Sequence, residues 1–219
     1  PLTLTINNHL ANQQGMIQSQ AGLQIKATSV NNQGGQLSSA PDYDVQLDVA
    51  GLLDNSQSGQ IYAGLNNTIH AGAVNNSMAG QISTQNALTL TSLGLINNQS
   101  GKIVANQDVI LTSNGLDDSG GQIGSSQGKL DIHVGSGLLN NTSGDIQAEK
   151  DLNVSADQIS NQFGLINSQN SLNINSKKNI DNTSGQIIAN QDVSTLSQGL
   201  VNDLGQIGSV QAKVSLDAG

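Results

Sequence analysis

The chain contains no cysteine, so no disulfide, Cys-based metal centre or thiol chemistry holds or serves it. That absence leaves the compartment open and suits a protein that must stay unlinked during export. Arginine is missing too; all seven basic residues are lysines, against sixteen acids and a net charge of −9. Nucleic-acid binding is therefore not expected, because neutralising phosphates takes a basic patch. An anionic membrane surface would repel the chain. No stretch approaches the roughly 18 consecutive apolar residues of a membrane helix, and membrane insertion is not expected. Aromatic residues make up 1% of the chain, namely Tyr43, Tyr62 and Phe163, where a globular core of this size would draw on many more. No signal peptide is visible.

What is present is Leu, Ile and Val set among Gly, Asn, Gln and Ser, in strict order. "GKIVANQDV" begins at Gly101 and "GQIIANQDV" at Gly185. A glycine followed two residues later by Ile or Leu recurs at Gly15, Gly35, Gly59, Gly80, Gly101, Gly121, Gly144, Gly164, Gly185 and Gly205, spaced 20 to 24 residues apart. The aliphatics two residues on are Ile17, Leu37, Ile61, Ile82, Ile103, Ile123, Ile146, Ile166, Ile187 and Ile207. Two residues further stands a small side chain, as in Ser19, Ala63, Ala105 and Ala189. Alternation of this kind is the period of a β-strand.

A second alternating pair follows in each unit, as in Leu23/Ile25, Leu88/Leu90, Val109/Leu111 and Leu152/Val154. A third aliphatic point precedes the next corner: Val30, Leu52, Val74, Ile96, Leu116, Leu139, Ile159, Ile180 and Val201. Asn or Asp comes next, as in Asn31-Asn32, Asn97-Asn98 and Asp117-Asp118, and glycine closes the unit. Asn and Gly suit corners because both tolerate left-handed backbone.

One such unit cannot bury its own aliphatic face; stacked units can. The expected fold is all-β: a right-handed parallel β-helix, or β-solenoid, of about ten coils of about 21 residues. At a strand separation of about 4.8 Å, ten coils make a rod about 45–50 Å long. Aligned asparagines are expected to bond into corner ladders. A longer period of 84 to 86 residues relates units four coils apart, the mark of block duplication. Local irregularity is expected where Asn67 and Thr195 replace inward aliphatics, and in the 24-residue unit from Gly35, whose Pro41, Asp42 and Tyr43 should bulge.

"LLNNTSGDIQAEKDLNVSA" (138–156) and "LINNQSGKIVANQDVILTS" (95–113) resemble the repeats of filamentous haemagglutinins and of CdiA-type contact-dependent growth inhibition toxins. The resemblance runs along the whole chain. It implies a parallel β-helix, export through an outer-membrane two-partner-secretion transporter, and display as a secreted or cell-surface filament. Residues 1–219 are expected to form a single β-helix segment of a longer chain. The pattern is already running at Pro1, and neither "PLTLTINNH" nor "QAKVSLDAG" reads as a polar cap over open strand edges.

Parallel β-helices also serve polysaccharide-degrading enzymes, the remote alternative. Glycoside hydrolysis needs two carboxylates around one bond, and here the acids are scattered. No catalytic residue, cofactor or metal site is expected. The densest acid group, Asp42, Asp44 and Asp48, reads as a solvated patch, with Asp44 and Asp48 on one outer strand face. Asp108, Asp151 and Asp192 each precede a strand's first aliphatic and read as corner residues. His9, His70 and His133 read as solvated. Exposed tyrosines are favoured anchors, so Tyr43, Asp44, Asp48 and Tyr62 are the candidate contacts for a cell-surface receptor or glycan.

Overall fold

The computed structural model describes residues 1–219 as a stack of parallel β-coils without a helix. A ten-stranded sheet takes one short strand from each coil, beginning with Met16–Ser19 and ending with Gln206–Ser209. A 17-stranded sheet takes the rest of each coil. In the first four coils its contribution is one long strand, Leu2–Ala11, Leu23–Asn31, Val45–Asp54 and Asn67–Asn75. From Leu88 onward it divides into a five-residue and a three-residue strand, as in Leu88–Ser92 with Leu95–Asn97.

Pairing runs from each coil to the next with like opposite like. Ile103 pairs with Ile82 on one side and Ile123 on the other. Eight of the ten aliphatics after the marker glycines, Leu37 through Ile187, are fully buried; Ile17 and Ile207, in the outermost coils, are half-buried. The interior is one cluster of 41 buried aliphatic and alanine residues with no aromatic member, so a single core runs the length of the stack. Each buried Ile contributes about 1.5–3 kcal/mol.

The corner before each marker glycine is built by a column that is buried from Asn12 through Asn32, Asn55, Asn76, Asn98, Asp118, Asn141 and Asn161 to Asn182 and ends at the exposed Asn202. Asn32 Nδ2 donates to Asn55 Oδ1 at 2.7 Å, and Asn161 Nδ2 to Asn182 Oδ1 at 2.7 Å. Each Nδ2 also reaches the carbonyl of its own marker glycine, as from Asn182 to Gly185 O at 3.2 Å. Where the residue before the column is Asn or Asp, it caps the turn: Asn31 Oδ1 accepts from the Gln33 amide at 3.1 Å, and Asp117 Oδ1 from the Ser119 amide at 3.1 Å.

The reason for glycine differs from the one expected. The left-handed residue is the one before the marker, as in Ser100 (φ 53°), Phe163 (φ 56°) and Ser184 (φ 55°). The markers themselves are glycine because neighbouring coils leave no room. A Cβ on Gly185 would lie 2.0 Å from the Asn161 carbonyl oxygen and 2.7 Å from Asn182 Oδ1.

Two of the third aliphatic points also shift. Leu53, not Leu52, is buried, and Leu52 is 45% exposed. A bulge between Val49 and Leu52 inserts one residue and turns the alternation over. Likewise Leu200 pairs with Ile180, leaving Val201 outward. In every coil the inward residue stands two before the ladder residue, as Leu53 stands before Asn55 and Leu200 before Asn202.

Asn67 and Thr195 cause no break. Asn67 pairs in register with Val45 and Leu88, and Thr195 with Ile174 and Leu216. Both are buried, and Asn67 Oδ1 and Nδ2 and Thr195 Oγ1 have no hydrogen-bond partner. The backbone ladder sets the register, and the cost of the polar substitution falls on side-chain desolvation instead. In the long second coil, Pro41, Asp42 and Tyr43 are exposed at the corner, Asp42 has a positive φ of 66°, and pairing slips between Ser38 and Pro41.

Candidate functional site

The second coil turns its corner on Ser39, whose Oγ donates to the Tyr43 carbonyl at 2.7 Å and accepts from the Gly64 amide at 3.0 Å. These bonds, with Leu65 N–H donating to Tyr43 O at 2.9 Å, fix the backbone under Tyr43. Tyr43 is 47% exposed. It borders a shallow groove of about 220 Å³ with Leu23, Gln24, Asp44 and Gln46.

Asp44 has a structural task. Its Oδ1 accepts both the backbone amide and the Nδ2 of Asn66 in the next coil, each at 3.0 Å. Asp108, Asp151 and Asp192 do the same one position before their strands: Asp108 Oδ1 accepts from the Lys129 amide at 3.0 Å, Asp151 Oδ1 from Ser171 at 3.3 Å, and Asp192 Oδ1 from Lys213 at 3.2 Å. Asp44 is thus one of four equivalent corner acceptors.

Asp48 lies on the outer face of the 17-stranded sheet, where Lys26 Nζ approaches its Oδ2 at 3.1 Å. Register places His70 directly across from Asp48. Pairing Lys26, Asp48 and His70 required the coil-to-coil register, which becomes readable only once the strands are aligned by their inward aliphatics. Tyr62 is half-buried on the outer face of the other sheet, paired with Ser38 and Ser83. The structure therefore brings Tyr43 and Asp44 together at one corner and places Asp48 and Tyr62 on different faces.

The largest groove, about 460 Å³, runs across five coils along Thr91, Thr112, His133, Ser155 and Asn175 and ends at Lys177. Hydroxyls and amides dominate it, and no carboxylate lines it. His133 Nδ1 is engaged with Ser155 Oγ at 2.9 Å. Asp131, on the same face, is turned to Lys129 Nζ at 3.2 Å and Asn153 Nδ2 at 2.7 Å. That hydrogen bond and charge hold the Lys129 ammonium above its usual range. A second groove of about 390 Å³ opens on the ten-stranded sheet, where Gly124 leaves a notch beside Val104 and Gln147. Glu149 is its one carboxylate. The paired carboxylates of a glycosidase meet in neither groove, and no three His, Asp or Glu side chains converge to hold a metal ion. No helix is long and apolar enough to cross a membrane.

The model of the haemagglutinin-repeat family matches residues 1–57, 42–129, 125–184 and 178–219, together the whole chain. No curated protein and no solved structure matches it.

Proposed function

The chain belongs to the haemagglutinin-repeat family, and from that premise we propose that it is a non-catalytic filament segment of a secreted bacterial surface exoprotein. It extends a stalk and presents an adhesive or growth-inhibiting toxic region at a distance from the cell. The observation that carries this reading is the in-register stack itself: one core, one buried corner ladder and the same pairing from coil to coil. Such a column transmits length and stiffness, and each added coil needs no new design. Its partner during export is an outer-membrane two-partner-secretion transporter. A chain without cysteine reaches the surface without cross-links, and stacking of coils follows outside.

The second reading is recognition by the side of the rod, of a cell-surface receptor or glycan. The observation favouring it is Tyr43, an aromatic residue 47% exposed on a hydrogen-bonded corner. Asp44 contributes by fixing that corner, while Asp48 and Tyr62 would belong to separate contacts.

Binding of the labelled 219-residue chain to intact host cells and to neighbouring bacteria, with unlabelled chain as competitor, separates the two. A stalk gives no competable binding while circular dichroism shows folded β-structure. Saturable binding that Tyr43→Ala abolishes would replace the stalk reading with recognition.

A further inference from the structure

The corner ladder contains one acid. From Asn12 to Asn98 every link is an amide Nδ2 donating to the next Oδ1, at 2.7 to 2.8 Å. Asn98 Nδ2 then donates to Asp118 Oδ1 at 2.6 Å. Beyond Asp118 the links resume at Asn141, whose Nδ2 donates to Asn161 Oδ1 at 2.7 Å. The step between Asp118 and Asn141 has no donor. Asp118 Oδ2 and Asn141 Oδ1 are both buried without a hydrogen-bond partner, on side chains that are 0% exposed.

In an asparagine of this column the second side-chain atom is Nδ2, and it faces oxygens only. Asn98 Nδ2 donates to Gly101 O at 3.4 Å, Asp118 Oδ1 at 2.6 Å and Gln122 O at 3.2 Å. The register-equivalent oxygens around Asp118 belong to Gly121, Asn141 and Asp145. An ionised Oδ2 there would set negative charge against acceptors, away from water. A metal ion would need six or more oxygens at 2.3–2.6 Å each, and the ladder repeats at the span of a single hydrogen bond.

We propose that Asp118 is a neutral carboxylic acid whose Oδ2–H donates to Asn141 Oδ1, so that one bound proton completes the seam and makes the stability of the rod depend on pH. One proton satisfies both orphaned oxygens at once. Burial, with smaller contributions from the charges of Asp145 and Asp117, pushes the Asp118 carboxyl up to about 8 against the hydrogen bond from Asn98. Asp117 is its chain neighbour at the end of the strand Gly115–Asp117, and Asp145 opens the strand that pairs with Gln122–Ser125 just past the Asp118 corner. Lys102, which opens the strand of the coil before, is exposed. Unfolded, the same carboxyl titrates near 3.8. Between those values the folded chain holds one more proton than the unfolded chain. The stabilisation is complete below about 3.8, declines as pH rises, and is gone above about 8.

The test is Asp118→Asn, which restores a donor of the same shape, compared with the parent chain by urea unfolding from pH 4 to 9. The two are expected to match near pH 4. The folding equilibrium of the parent should then fall relative to the variant by up to about tenfold per pH unit, levelling off near pH 8. Taking the difference removes the titration of the other carboxylates, which both chains share. In the parent chain alone, the assigned ¹³Cγ resonance of Asp118 should report a neutral carboxyl at pH 6. A difference flat across pH, or an ionised Asp118 at pH 6, would overturn the proposal. The resonance decides the matter even where the variant folds poorly.

Discussion

Truncating one buried ladder amide should cost far more than truncating an exposed one that makes a bond of the same length. Asn161 is fully buried; it accepts from Asn141 Nδ2 at 2.7 Å and donates to Asn182 Oδ1 at 2.7 Å, Gln186 O at 3.0 Å and Gly164 O at 3.3 Å. Asn161→Ala leaves Asn182 Oδ1 without a donor and Asn141 Nδ2 without its shortest partner. Orphaned buried groups cost about 1–3 kcal/mol each, and linked bonds in a dry interior reinforce one another, so the loss is roughly 3–5 kcal/mol. For a chain of this length that lowers the melting temperature by about 10 °C. Gln169 is the control. Its Oε1 accepts from Asn190 Nδ2 at 2.8 Å on an exposed corner, where water replaces the partner, and Gln169→Ala should stay within about 0.5 kcal/mol. Thermal and urea unfolding followed by circular dichroism give both numbers. Hydrogen exchange should show the lost protection centred on the coils carrying Asn141, Asn161 and Asn182, because stability in such a stack is a sum over neighbouring coils. If the two variants fall together within about 0.5 kcal/mol, the ladder follows the fold and does not stabilise it.

Thr195→Val should raise stability by about 1 kcal/mol, because Thr195 Oγ1 is buried without a partner between Ile174 and Leu216; a lowered urea midpoint would reveal a bond or buried water at that hydroxyl. Gly185→Ala should cost at least about 3 kcal/mol, since its Cβ would sit 2.0 Å from the Asn161 carbonyl oxygen. Gly124→Ala, with its nearest neighbour 3.6 Å away on an outer face, should be neutral or slightly stabilising, and equal midpoints for the two alanine variants would refute the close-approach account of the marker glycines.

The architecture was legible because a repeat states its rule ten times. The glycine marks and the aliphatics after them locate each strand of the ten-stranded sheet, and the pair after those locates the start of each second strand. What misled was counting along the chain where the chain bulges. Leu52 looks like the third inward point until the inserted residue after Val49 is seen, whereas counting back two from Asn55 finds Leu53. The role of the glycines was obscured for a different reason. Close approach by the preceding coil is a contact between residues more than 20 apart, as between Asn161 and Gly185, and local turn chemistry does not report it. At the candidate site, the exposure of Tyr43 followed from its place in an over-long unit. The employment of Asp44 as a corner acceptor did not, because it depends on the Asn66 amide one coil away. Asp108, Asp151 and Asp192, at the same place in their units, were the signal that could have supplied it.

A coil stack separates shape from chemistry. Register is held by backbone ladders, so single side chains can depart from the pattern without moving their neighbours. Asn67 and Thr195 sit in a core of aliphatics and leave the pairing intact. Asp118 is the same kind of exception in the seam. Its counterparts four coils away in each direction are Asn32 and Asn202, within the near-repeated corners VNNQGGQL (30–37) and LVNDLGQI (200–207), so the acid departs from a template that the chain itself preserves on both sides. Inward exceptions act through stability, because the groups they present are sealed from partners. Outward exceptions meet whatever the rod meets. Phe163 and Leu204 occupy the left-handed corner position that is Ser, Gly or Ala in most coils, and they are 67% and 94% exposed. With Tyr43, Met16, Met78 and Leu93 they are among the places where this surface stops repeating. A partner that distinguishes one stretch of the rod from another has to read such positions, because the repeated ones are the same in every coil.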